Sequence, residues 1–171
     1  MADDDSLARW LLIVVGSTLR AEEADRPLAY YLKQQVESAL EAVMRLDHGA
    51  GGPFRVAVIA DFRWLRDEPL QKWPTLSIGG PGVNLLTHHW LEEVPLSLAV
   101  DNQYYIQMDP DLDEPRVSIW GMDNASTQIA VSAFLQRFSG RFLEHIVHTT
   151  PAAASPDAES ESEESEEDDD D

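Results

Sequence analysis

Two short apolar runs, Trp10-Leu11-Leu12-Ile13-Val14-Val15 and Val56-Ala57-Val58-Ile59-Ala60, stand on either side of one long helical stripe, and this arrangement constrains the fold more than any other feature of the chain. Runs of that length without polar alternation fit strands covered on both faces, as in a parallel sheet. Between them Leu28, Leu32, Val36, Leu40 and Met44 recur at the helical period. Asp25 and Pro27 supply helix-start chemistry, and Gly49-Ala50-Gly51-Gly52-Pro53 supplies the stop. Strand, helix and strand in this order make a crossover unit, which is right-handed in nearly all parallel sheets.

The rest of the chain extends the same sheet. After Asp61, residues 62–74 have no clear period, and Thr75-Leu76-Ser77-Ile78 reads as a third strand entering Gly79-Gly80-Pro81-Gly82. A helix is expected at once, with Val83, Leu86, Trp90 and Val94 on its buried face and Pro81 near its first turn. Leu96 to Val100 and Gln103 to Met108 are alternating runs around Asp101-Asn102, a two-residue hairpin signal. Val117 to Trp120 forms a last strand. It leads through Gly121-Met122-Asp123 into one final helix, capped by Asp123, with Val131, Phe134, Phe138, Phe142 and Ile146 on its face. The expected class is α/β, a three-layer flavodoxin-like or Rossmann-like mixed sheet with an antiparallel hairpin, in a single domain over residues 1–150.

The net charge of -20 is unevenly distributed, because residues 151–171 carry 11 acidic and no basic side chains and leave -9 for the first 150. A block of like charges with few apolar residues cannot offset chain entropy, so Ser155 to Asp171 is expected to be a disordered acidic tail. Such a tail either solubilises the protein or docks a basic protein partner. The sign of the charge argues against nucleic acid as a partner. With no cysteine in the chain, disulfides, thiolate metal sites and thiol nucleophiles are all removed. An acidic start, Met1-Ala2-Asp3-Asp4-Asp5, and the shortness of the first apolar run point to a cytoplasmic protein with no membrane partner.

Sheets of this class bind ligands beyond the C-terminal ends of their strands. Three turns lie there: Gly16-Ser17-Thr18, Gly79-Gly80-Pro81-Gly82-Val83-Asn84, and Gly121-Met122-Asp123-Asn124-Ala125-Ser126-Thr127. In the second, glycines and the free amides of a following helix offer an anion site, although the lysine of the phosphate loop and the dinucleotide spacing are both missing. A structural reading is open too: the glycines allow a tight turn and Asn84 bonds the loop backbone. In the third, Asp123, Asn124, Ser126 and Thr127 are suited to cap the last helix. The candidate ligand-binding residues are Gly79, Gly80, Gly82, Asn84, Gly121, Asp123, Asn124 and Thr127.

Other chemistry is incomplete. Asp61, Asp109 and Asp123 each lie near a strand end and would offer oxygen ligands to a divalent cation only if they converged. His88 and His89 are adjacent on a helix and cannot face one metal, while His145 and His148 read as surface or capping residues. Ser17, Ser77 and Ser118 have no nucleophile-elbow context. No catalytic set, metal centre or cofactor motif is present.

The two longer turns resemble a Gly-Gly-Pro-x-x-Asn turn and a Gly-x-Asp-x-x-x-Thr turn of α/β modules in archaeal surface-layer proteins. That resemblance implies two turns that are neighbours and shape one shared surface. The chain departs from those proteins in its size and its acidic start, so no surface-layer role is carried over. The expected function is a non-enzymatic accessory module that binds a ligand or partner at this surface. One alternative is a small enzyme or sensor that takes a phosphate-bearing ligand on the glycine-rich turn. Another is pairing of the exposed hairpin edge, Tyr104, Tyr105 and Ile106, with a second chain.

Overall fold

The computed structural model describes residues 8–47 and 51–152. The tail expected to be disordered, Ser155 to Asp171, lies outside the described residues. Strand β1 (Arg9–Val15) is interior to the sheet, flanked by β2 (Phe54–Ala60) and β3 (Thr75–Ile78), both parallel to it. A further parallel strand, β6 (Arg116–Gly121), pairs with β3. The hairpin of β4 (Leu96–Val100) and β5 (Tyr104–Met108) then completes six strands in the order β2-β1-β3-β6-β5-β4, with β5 antiparallel to both of its neighbours. The fold is therefore α/β with a mixed sheet.

Successive side chains of a strand point to opposite faces, and in β1 both faces are buried. Leu11, Ile13 and Val15 join one apolar core, while Leu12 and Val14 join another with Trp64, Leu86 and Trp90. The first core is closed by α1 (Leu19–Leu46), α5 (Asn124–Arg137) and α6 (Ser139–Thr149). The second is closed by α2 (Asp61–Arg66) and α4 (Leu85–Trp90), with α3 (Glu68–Gln71) beside them. Trp64 and Trp90 meet edge to face across this second core, with ring centroids 5.4 Å apart. Strand β2 is an edge strand, so Ala57 and Val58 are only half-buried where its apolar run suggests burial on both faces.

Three helices differ from their sequence patterns. Helix α1 begins well before Asp25, because extended Thr18 caps it, its Oγ1 accepting from the Ala21 amide at 3.2 Å. Pro27 falls inside the helix on its exposed side. An interior proline costs about 3 kcal/mol, and the buried stripe of Ala29, Leu32, Val36 and Leu40 outweighs it at about 1.5–3 kcal/mol for each large side chain.

Helix α4 is only six residues long, leaving Val83 and Val94 outside it. Asn84 occupies its cap, and at the far end the Gln107 amide donates to the Leu91 and Val94 carbonyls at 3.0 and 2.9 Å. The single final helix expected from the pattern is two, broken at Phe138, whose φ of -123° is not helical. Ser139 Oγ donates to the Leu135 carbonyl at 2.7 Å, a back-bond that bends helices, and Gly140 follows with the weakest propensity short of proline. The break lets α6 pack on α1.

The hairpin forms as its turn residues require. Asp101 and Asn102 have φ of 48° and 54°, and the Gln103 amide donates to the Val100 carbonyl at 2.8 Å. Because β5 runs against β6, this turn lies at the same end of the sheet as the loop after β6. Among the described residues, no helix is long and apolar enough to cross a membrane.

Candidate functional site

The chain leaves β1 toward β2 on one side and later places β3 on the other, so a crevice is expected between the C-terminal ends of β1 and β3. That crevice is filled. Gly16 has no side chain where a Cβ would overlap the Val83 carbonyl oxygen, so the turn after β3 lies directly on the turn after β1. The opening falls one step along, between the first turns of α1 and the loops that follow β3 and β6. It is a cleft of about 320 Å³, with Arg20 and Asp25 of α1 on one side, Gly80 to Val83 on the second and Trp120 to Asn124 on the third.

Asp25 lies at the bottom of the cleft. It belongs to the buried stripe of α1, is 6% exposed, and makes no hydrogen bond to any described residue. Burial pushes its carboxyl up to about 6, against the weaker opposing pull of the Arg20 charge. Gly79 makes room for it: at φ +100°, a Cβ on this residue would stand 2.6 Å from Asp25 Oδ2. Arg20 is exposed at the mouth, and its charge is felt by Asp25 and by Asp123.

The wall after β6 is tightly bonded to itself. Asp123 Oδ1 accepts from the Ser126 amide at 2.8 Å and from its hydroxyl at 2.7 Å, and the Ser126 Oγ accepts from the Asp123 amide at 3.0 Å. These bonds, the hydroxyl first and the amide second, hold the Asp123 carboxyl below its ordinary value. Thr127 Oγ1 accepts from the Gly121 amide at 3.0 Å and donates to the Asp123 carbonyl at 2.8 Å. The Trp120 indole stacks on Tyr105 at 4.3 Å between centroids.

Of the eight candidate residues, Gly80, Gly82, Gly121, Asp123, Asn124 and Thr127 line this cleft together. Gly79 lies beneath it, against Asp25. Asn84 is 1% exposed and stands apart, its Nδ2 donating to the Ile78 carbonyl at 2.8 Å and to Ser77 Oγ at 3.0 Å while its Oδ1 takes the Leu86 and Thr87 amides. It holds the β3–α4 turn to the sheet and has no capacity left for a ligand. Ser77 and Ser118 are spent in the same buried network through Thr87 Oγ1.

The three carboxylates do not converge. Asp61 is buried beside α4, where its oxygens accept from the Phe62 and Leu85 amides, both at 2.8 Å. Asp109 follows an antiparallel strand and so lies at the opposite end of the sheet from Asp123. Among the described residues, no group of three or more His, Asp or Glu side chains is placed to hold a metal ion. His88 and His89 are exposed on α4, and His148 is paired with Asp47 at 3.3 Å.

The residues that sequence reasoning missed are Arg20, Asp25 and Trp120. Asp25 carries a recognisable signal once α1 is started at Thr18: it is an acid at the i+4 position between Ala21 and Ala29, inside an apolar stripe. No protein-family model matches the chain, and no curated protein matches it.

Proposed function

We propose that this protein is a non-enzymatic binding module that takes a small ligand in the cleft between α1 and the turns after β3 and β6. The reading rests chiefly on Asp25, a buried carboxyl with no hydrogen-bond partner among the described residues, set at the floor of an open cleft. Buried polar groups are normally satisfied within the protein, and one left open toward a cavity is a site for something else to bond. Support for a flavodoxin-like reading of the fold comes from the parallel order β2-β1-β3-β6 with helices over both faces, an arrangement that binds ligands at these strand ends.

The alternative of a phosphate-bearing ligand is disfavoured by the charge of the cleft. Among the described residues, an anion would meet Asp25 and Asp123 with only Arg20 to offset them, and the Asp123 carboxylate already caps the N-terminus of α5. Against a hydrolytic role, Ser77 and Ser118 are buried in a closed network, and exposed Ser17 is not part of the cleft lining among the described residues.

The test is thermal unfolding of the full chain against a panel of amines, sugars, carboxylates, sugar phosphates and nucleotides, beside a Gly82→Trp variant. Gly82 lines the cleft and a Cβ there meets nothing within 4 Å, so a large side chain can be placed at the cleft wall without a clash at its base. A ligand at 100 times its Kd raises stability by about 2.7 kcal/mol. A saturable rise that Gly82→Trp abolishes is the expected result. A panel with no active compound, or activity that Gly82→Trp leaves intact, overturns the reading.

A further inference from the structure

We propose that the occupant of this cleft is a small organic monocation, a protonated amine or guanidinium on a short apolar body, bound with its charged head on Asp25. This deepens the binding-module reading and rests on it. Asp25 is 6% exposed and has no hydrogen-bond or ion-pair partner among the described residues, so its carboxylate is solvated only through the cleft and is weakly compensated. The buried polar side chains of the neighbouring turns, Asn84 and Thr127, are both satisfied. Asp25 faces the cleft without a protein partner, and a donor of positive charge would complete it.

The neighbouring charges agree. Among the described residues, Arg20, Asp25 and Asp123 are the ionisable groups lining the cleft, and with both acids ionised they sum to one negative charge. Glu22, also on α1, is taken by Arg26 through bonds of 2.6 and 2.7 Å. The turn after β3 brings no charged side chain to the cleft. A single positive charge therefore neutralises the site. Its apolar walls, Trp120, Pro81 and Met122, suit a hydrocarbon or aromatic body. The cleft volume, about 320 Å³, is at the low end for small-molecule sites. The net charge of -20 draws cations toward the protein and repels anions.

The experiment is calorimetric titration of the full chain with three compounds of one shape: phenethylamine, 2-phenylethanol and 3-phenylpropionate. Wild type, Asp25→Asn and Gly82→Trp are compared. At about pH 7.5 only the amine is expected to bind wild type, with at least about tenfold weaker binding to Asp25→Asn and none to Gly82→Trp. Because Asp25 titrates near 6, about one tenth of it stays ionised one pH unit lower, and affinity for the amine falls about tenfold at pH 5. Equal binding of the amine to wild type and Asp25→Asn, or no binding of the amine at all, overturns the proposal. Binding of the alcohol or the carboxylate in its place, abolished by Gly82→Trp, also overturns it while leaving the binding-module reading intact. A blocked Gly-Lys-Gly peptide is titrated alongside; tighter binding of the peptide than of free phenethylamine overturns the small-molecule source of the cation.

Discussion

Replacing Asp25 with asparagine should make the protein more stable at neutral pH. The side chains have nearly the same shape, and the amide stands in for the protonated acid. In an unfolded chain the carboxyl titrates near its ordinary 3.8, and in the fold burial raises it to about 6. The folded state thus binds the proton more tightly, so this group destabilises the protein progressively as pH rises through the window from about 4 to about 6. At about 1.36 kcal/mol per pH unit, the penalty above that window is at most about 3 kcal/mol, and water reaching the carboxyl through the open cleft screens it to about 1–2 kcal/mol. Asparagine does not ionise and escapes it. Urea unfolding of both proteins, followed by tryptophan fluorescence from about pH 3.5 to 8, measures the effect. The difference between the two curves is the informative quantity, because carboxylates shared by both proteins cancel. It should be near zero at the acid end, rise through the window and level off, with the variant the more stable. A flat difference, or a variant less stable at neutral pH, would refute the argument that burial destabilises the ionised Asp25.

Three other substitutions test the fold around the cleft. Pro27→Ala restores an amide in the exposed side of α1 and should stabilise the protein by about 1–3 kcal/mol in the same urea assay. Asn84→Ala removes a helix cap and leaves the Ile78 carbonyl and Ser77 hydroxyl short of a donor, for a loss of about 3 kcal/mol measured by denaturation. Gly79→Ala should destabilise through both its φ of +100° and the approach to Asp25 Oδ2; pairing it with Asp25→Ala should recover the steric part only, which a double-mutant cycle in urea resolves.

The strands are legible in the sequence because their signal is local. Trp10 to Val15 is apolar throughout since both faces of β1 are covered, and Asp101-Asn102 marks its hairpin because few residues adopt two successive positive φ values at low cost. Helix ends are less legible, since they depend on which of several competing caps tertiary packing selects. Asp25 and Pro27 make a sound helix start in isolation, yet Thr18 wins because it caps the Ala21 amide and the extra turns bury Ala21 against the fold, which outweighs the cost of burying Asp25. The same misplacement hides the site. With Asp25 read as a cap it has an ordinary role, and its position at the floor of a cleft emerges only when α1 is extended toward β1. The two loops of the cleft are visible from their glycines, whereas the convergence of Asp61, Asp109 and Asp123 depends on strand direction. The antiparallel course of β5 decides against it.

The turn after β6 is held from three directions. The Met122 amide donates to the Gln103 carbonyl in the hairpin turn at 2.9 Å, the Asp123–Ser126 box ties it to α5, and Thr127 fixes the Gly121 amide. Such a wall has little freedom to surrender when something docks against it, so binding here should carry a small ordering penalty and need no closing motion. Selectivity then comes from a fixed outline. On the proposed reading, a molecule one methylene too long would meet a boundary that does not step back, and the rejection of close homologues, worth about 1–3 kcal/mol per methylene, would be set before a ligand arrives.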